Sequence, residues 1–200
     1  MINIGVLASG RGTNLQAIIE AIEEGKIEGE IKVVISDNPD AYVLKRAQQY
    51  NIDTRYINFK EFKNREDYDK EIIKTLEEKK IDLVVLAGYM RILSPHFIRT
   101  YKNKVINIHP ALLPSFPGLH AQKQAIEHGV KVSGCTVHFV DEGVDSGPII
   151  LQKAVEVSDD DTEESLAEKI LKEEHQIFSQ AIQLFSEGRL IIKGKRVFIK

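Results

Sequence analysis

The sequence contains one cysteine (Cys135), no tryptophan and only six prolines in 200 residues. Its formal charge is just −3, from 27 Lys and Arg against 30 Asp and Glu. Each scarcity excludes something. A lone cysteine rules out an intrachain disulfide and any cysteine-built zinc site, and it fits a reducing compartment, so a cytoplasmic location is expected. The basic residues are spread along the chain, which indicates no polyanion-binding surface and no nucleic-acid partner. The N-terminal apolar stretch Ile2 to Ala8 has no leading basic residues and soon meets Ser9-Gly10-Arg11-Gly12. It is too short for a signal peptide or a membrane span. No repeat, low-complexity tract or Pro-, Gly- or Ser-rich linker divides the chain. One domain over residues 1–200 is expected, long enough to close a sizeable core.

What is present reads as an α/β fold. Ile2 to Ala8, Lys32 to Ser36, Leu83 to Ala87 and Val105 to Ile108 are short apolar, β-branched runs bounded by turn residues, and so are expected strands. Leu83-Val84-Val85-Leu86-Ala87 is apolar on both faces, as a parallel strand covered above and below must be. Between the runs, Asn14 to Glu24 places Leu15, Ile18, Ile19 and Ile22 on one helical stripe, and Tyr68, Ile72 and Leu76 recur every four residues. Alternation of this kind predicts right-handed βαβ units, whose ligands bind outside the carboxyl ends of the strands.

After Gly129 the order changes. Val132 to Val140 and Pro148 to Val157 are extended runs joined by Asp141-Glu142-Gly143-Val144-Asp145-Ser146-Gly147, a connection too short for a parallel crossover. An antiparallel pair is expected there, followed by a long helix starting at Asp161 with Glu164 as its capping-box partner. The tail from Gly188 suggests a small hairpin turning near Gly194-Lys195. The predicted fold is therefore a Rossmann-like open sheet, mostly parallel, with antiparallel strands in the C-terminal half and helices on both faces.

Three segments could carry chemistry. Ser9-Gly10-Arg11-Gly12-Thr13-Asn14 lies between a strand and a helix, where backbone N–H groups and the helix dipole favour an anion such as phosphate. The glycine spacing matches neither the dinucleotide fingerprint nor a P-loop, so no nicotinamide is expected; a plain strand-to-helix turn with an N-cap reads equally well. Asn107-Ile108-His109-Pro110 begins at a strand end, with Asn107 and His109 on the same side. A histidine moves protons near neutral pH, and an asparagine amide can donate to an oxyanion. Alone, His109 would read as a core histidine, but the rigid proline-rich loop that follows, through Ser115-Phe116-Pro117-Gly118, points to use. The acidic loop Asp141 to Pro148 could bring a carboxylate to the imidazole, orienting it and favouring its protonated form. A solvated acidic turn is the alternative. The loop lacks the EF-hand pattern, and no metal is expected.

Taken together, Ser-Gly-x-Gly-Thr-Asn, Leu-Ala-Gly-Tyr-Met-Arg-Ile-Leu, Asn-x-His-Pro-x-Leu-Leu-Pro and Asp-x-Gly-Pro resemble the phosphoribosylglycinamide formyltransferases, within the wider folate-dependent formyltransferase group, over almost the whole chain. The resemblance implies formyl transfer from 10-formyltetrahydrofolate, as co-substrate, to the amine of a phosphorylated glycinamide in purine biosynthesis. It implies Asn107, His109 and Asp145 as the catalytic residues: Asn107 donates to the oxyanion, His109 handles protons and stabilises the tetrahedral intermediate, and Asp145 supports His109. Gly12, Thr13, Asn14 and Glu174 fall on ribonucleotide-binding positions, and Glu173 is a possible shift of register. Arg65, Met90, Arg91, Ile92 and Leu93, with Asn107, fall on folate-binding ones. The N-terminal half, about residues 1–100, would take the phosphate, and the half from about 101 to 200 would hold folate and catalysis. His138, on the strand beside this site, and the single cysteine are left outside the catalytic set.

The partners implied are small molecules, with no membrane, and the chain is expected to be a monomer or homodimer. Two readings compete: a formyltetrahydrofolate deformylase, which uses water as acceptor and carries an extra N-terminal domain in its family, and a non-catalytic sensor of a phosphorylated metabolite. A methionyl-tRNA formyltransferase would need a further C-terminal domain and an RNA surface.

Overall fold

In the computed structural model, which describes residues 1–200, the chain falls into two compact units, Met1–Asn107 and Ile108–Lys200. The first begins with β1 (Ile2–Leu7), α1 (Thr13–Glu23), β2 (Gly29–Ser36), α2 (Tyr42–Gln49) and β3 (Thr54–Tyr56), followed by α3 (Arg65–Glu78), β4 (Leu83–Leu86) and α4 (Pro95–Thr100). The strand β5 (Val105–His109) runs across the division. All pairings in this unit are parallel, in the order β3-β2-β1-β4-β5.

That order places a topological switch point between β1 and β4. The chain first winds outward through β2 and β3, then returns to the opposite side of β1. In such sheets the loops that leave the carboxyl ends of the strands at a switch point are the usual ligand position. The Ser9–Gly12 loop and the segment from Gly88 to Leu93 both start there.

Apolar patterning explains the elements. All four residues of β4 are buried, as a strand apolar on both faces requires. The stripes of α1 and α3 bury Leu15, Ile18 and Ile19, and Tyr68, Ile72 and Leu76. Asn64 accepts from the N–H of Asp67 to start α3, and Ser94 accepts from the N–H of Phe97 to start α4.

The second unit contains α5 (Ala121–Glu127), β6 (Val132–Phe139), β7 (Ile149–Glu156), α6 (Glu163–Ser186), β8 (Leu190–Lys193) and β9 (Arg196–Ile199). β6 and β7 are antiparallel, as the short connection between them requires, and β8 and β9 form the expected terminal hairpin around Gly194-Lys195. β9 touches β7 in parallel at Ile149 and Arg196. Expected and observed boundaries for most strands differ by a residue or so, whereas β2 starts three residues earlier, at Gly29.

One expectation is corrected. The cap of α6 is Thr162, not Asp161, and its capping-box partner is Ser165, not Glu164. The Thr162 hydroxyl accepts from the Ser165 N–H, and the Ser165 hydroxyl accepts from the Thr162 N–H. Asp161 lies just outside, accepting from Ser165 Oγ, Lys169 Nζ and the Ser158 N–H. A hydroxyl at N3 replaces the usual carboxyl because Ser165 reaches the N-cap backbone itself. No helix is long and apolar enough to cross a membrane.

Candidate active site

The chemistry-bearing residues of the second unit converge on one carboxylate. β5 ends at His109, which is 4% exposed. Its Nδ1 lies 3.4 Å from Asp145 Oδ2, and its Nε2 donates to the Phe116 carbonyl at 2.8 Å. The same Asp145 oxygen accepts from the Gly118 N–H at 2.8 Å, tying the acidic loop to the proline-rich one. Both ring nitrogens of His109 thus face oxygen atoms, so the imidazole is held at two points. Asn107 stands two residues earlier on β5 and shares the strand side of His109.

Two left-handed residues make this geometry possible. Asp145 has φ 50° and Phe116 has φ 52°. Aspartate tolerates this region, but a phenylalanine there is strained by about 1 kcal/mol or more. The strain turns the Phe116 carbonyl toward His109. Within the acidic loop, Asp141 Oδ1 accepts from the Gly143 N–H and the Ser146 hydroxyl at 3.1 and 2.7 Å, so the loop is shaped from inside. Sequence reading missed the Phe116 carbonyl and the Gly118 N–H. Backbone groups leave no residue-type signal, although the glycine and prolines around them marked the loop.

His138, on β6, is a second imidazole on this carboxylate, with Nε2 3.7 Å from Asp145 Oδ1 and Nδ1 donating to the Phe139 carbonyl at 2.9 Å. Burial lowers its pKa below the ordinary 6.5, outweighing the Phe139 carbonyl and the Asp145 charge, which act to raise it. The unfolded chain takes up this proton at higher pH than the folded one. The stability linked to a neutral His138 is therefore fully present above about pH 6.5 and is lost as pH falls below it. A ring titration by NMR is expected to give a midpoint below 6.5 for His138, and a midpoint above that value would contradict the effect of burial.

Glu174 on α6 is buried, whereas Glu173 has Oε2 3.9 Å from Lys153 Nζ. Glu174 is the more deeply buried of the two, and Glu173 Oε2 is buried as well. Cys135 is buried, and burial, reinforced by Glu174 and Glu173, pushes its thiol up to about 12, which makes it a packing residue and not a nucleophile.

In the first unit, Gly12 is the N-cap of α1 at φ 75°, and a Cβ there would lie 2.6 Å from Val43 Cγ2 and 2.9 Å from its Cα. Only glycine fits. No side chain caps this helix and no acidic residue occupies its first turn, so the N–H groups around Thr13 and Asn14 form an end suited to an anion. Arg65 is the first residue of α3 and lines a shallow cleft of about 470 Å³ with Asn64, Lys70, Ser94 and Pro95. Glu66 and Asp67 line the same cleft and pair with Lys70, and the Arg65 charge favours the ionised form of the buried Asp69 four residues on. Met90 and Ile92 are exposed, Leu93 is buried, and Arg91 pairs with Asp37. The folate-binding positions implied by sequence therefore include two outward apolar side chains and one cation already engaged by an acid.

A buried strand-end histidine backed by an aspartate, both in the second unit, fits an α/β enzyme that handles protons near neutral pH. Residues 2–182 match the family described as formyl transferase, and the chain belongs to that family. It is 46% identical over 188 residues to phosphoribosylglycinamide formyltransferase of Escherichia coli (strain K12), covering 94% of this chain and 89% of that protein. It is 47% identical to the trifunctional purine biosynthetic protein adenosine-3 of Homo sapiens over 98% of this chain, and spans about a fifth of that much longer relative, 20%. The crystal structure of glycinamide ribonucleotide transformylase 1 from Symbiobacterium toebii has a TM-score of 0.98 and 54% identity, covering all of this chain and 94% of its own. The mixed α/β open sheet expected from the sequence is the fold of this relative.

Proposed function

We propose that this chain is a phosphoribosylglycinamide formyltransferase, carrying the formyl group of 10-formyltetrahydrofolate to the amine of 5-phosphoribosylglycinamide in purine biosynthesis. The observation that carries the reading is the His109–Asp145 pair, 3.4 Å apart and nearly dry, on a chain that covers 89% of a formyltransferase of this name.

The amine attacks the formyl carbon and a tetrahedral intermediate forms, with negative charge on the former carbonyl oxygen. The Asn107 amide donates to that oxygen, a contribution of about 3 kcal/mol for one well-placed donor. His109 takes the proton lost by the amine and supplies one as the bond to folate N10 breaks, releasing tetrahydrofolate and the formylated glycinamide. Asp145 orients the imidazole. This route uses side chains alone, without metal or nicotinamide.

Gly12, Thr13 and Asn14 hold the phosphate at the start of α1, and Glu174 contacts the ribonucleotide. Arg65 meets the acidic tail of the folate, and Met90 to Leu93 offer the pterin an apolar wall. The two substrates are small molecules, the location is cytoplasmic, and the chain acts as one domain, monomeric or homodimeric.

Absorbance of the folate during turnover tests the reading. With 10-formyltetrahydrofolate and glycinamide ribonucleotide together, conversion to tetrahydrofolate is expected, and none with either withheld. Turnover without any amine would identify a deformylase, and ribonucleotide binding without turnover would identify a sensor.

A further inference from the structure

The segment from Gly88 to Leu93, between β4 and α4, has no regular structure, yet its proposed task demands a defined shape. Met90 is 65% and Ile92 55% exposed, so the segment presents apolar residues on its outer side. A free segment of this length would sample many backbone conformations, and each would present a flat heterocycle with a different donor and acceptor pattern. Polar contacts hold the segment and the residue that follows it from behind, among them the Ser9 N–H donating to the Gly88 carbonyl at 3.0 Å and the Tyr89 hydroxyl bonding that of Tyr68 at 3.2 Å.

Ser9 Oγ, at the end of β1, accepts from the Met90 N–H at 3.0 Å. The Asp69 carboxylate, 1% exposed on α3, accepts from the Ser94 N–H at 2.5 Å. Between these, Arg91 Nε donates to Asp37 Oδ2 at 2.7 Å, just past β2. The Arg91 guanidinium also lies 3.9 Å from the centre of the Phe59 ring and 5.9 Å from that of Tyr68. The Asp37 side chain is 10% exposed, and its other oxygen, Oδ1, is buried with no hydrogen-bond partner, so Arg91 is the cation that balances this carboxylate. Cation–π contact and a charge-assisted hydrogen bond act together on one side chain, which fixes its backbone more firmly than either alone.

We infer that Arg91 serves the reaction as a positioning residue acting through Asp37 and Phe59, its guanidinium facing the protein and not the folate. Asp37 is thereby a specificity-determining positioning residue for folate, although it touches no substrate. The inference rests on the proposed reading of Met90 to Leu93 as the folate wall.

The test compares Asp37→Ala, Asp37→Asn and Arg91→Lys in the full chain, by steady-state kinetics and by amide hydrogen exchange of residues 88–94. Asp37→Ala is expected to raise the KM for 10-formyltetrahydrofolate about tenfold, the usual size of one charge-assisted contact. The KM for ribonucleotide and kcat stay within about twofold, and exchange in the segment quickens. Asp37→Asn keeps an acceptor for the Arg91 Nε–H and recovers most of the loss. Arg91→Lys, which keeps the charge but loses the planar fork and stacking, shows the same split and serves if the alanine variant does not fold. Faster exchange with an unchanged folate KM would show that the segment is held as described but receives no folate, ending the folate reading of this segment together with the inference. A raised folate KM with unchanged exchange would overturn the inference alone, and equal losses in kcat and both KM values would show a merely structural role.

Discussion

His109→Ala is expected to lower kcat by about 10³-fold while the KM for ribonucleotide changes by less than about threefold. The imidazole is 4% exposed and fixed by Asp145 at 3.4 Å and by the Phe116 carbonyl at 2.8 Å, so its position is set before substrate arrives. Two effects combine in the loss. Proton transfer by a positioned histidine is worth about 10²–10⁴ in rate, and a protonated ring also stabilises the developing oxyanion. A 10³-fold fall corresponds to about 4 kcal/mol of transition-state stabilisation, which reaches kcat because the ground state makes little use of the group. Steady-state kinetics with saturating folate, beside circular dichroism to establish that the variant folds, measures this. A folded variant within tenfold of the parent rate would remove His109 from the mechanism.

Gly147→Ala is expected to combine a loss of stability with a loss of turnover, although residue 147 carries no side chain and would touch no substrate. A Cβ there would lie 1.8 Å from the Phe139 carbonyl oxygen, 2.9 Å from its carbon and 3.2 Å from the Asp141 nitrogen. All three are backbone atoms, so no side chain can swing aside. β6 must part from the acidic loop, and the bond from the Phe139 N–H to the Pro148 carbonyl, 2.9 Å in the parent, is the first to strain. Overpacking of this kind costs about 1–3 kcal/mol, or roughly 2–12 °C in Tm for a chain of this size. The functional loss follows from Asp145, which sits two residues before the intrusion in a left-handed conformation and loses its hold on the Gly118 N–H and His109. A kcat lowered about tenfold or more is expected, by analogy with other misplacements of about 1 Å. Calorimetry and kinetics on the same preparation decide: an unchanged Tm would show that the loop relaxes freely, and a lower Tm with unchanged kcat would show that Asp145 is not held through Gly147.

Several features were open to a reader of the sequence. Leu83 to Leu86 had to be covered on both faces, the short connection between Phe139 and Ile149 had to reverse the chain, and Gly194-Lys195 had to turn a hairpin. These follow from periodicity, connection length and turn chemistry, which operate over a few residues. The start of α6 shows where local rules stop. Asp161, Thr162 and Ser165 are all capping types, and which of them caps the helix depends on how the chain leaves β7.

The candidate site divides along the same line. Sequence alone marked His109, Asn107 and Asp145 by motif, placed two of them on one strand side, and set Gly12 in a turn between strand and helix. Tertiary structure decided that Asp145 meets His109 across 36 positions in the chain, that Phe116 turns its carbonyl to the imidazole, and that His138 shares the carboxylate. It also decided that Arg91 is spent on Asp37, 54 residues away, so a cation that sequence placed at the folate faces inward. The physical reason is range. Backbone propensity and side-chain periodicity are encoded within a turn or a strand, whereas an ion pair or a carbonyl contact exists only once the sheet has brought distant loops together.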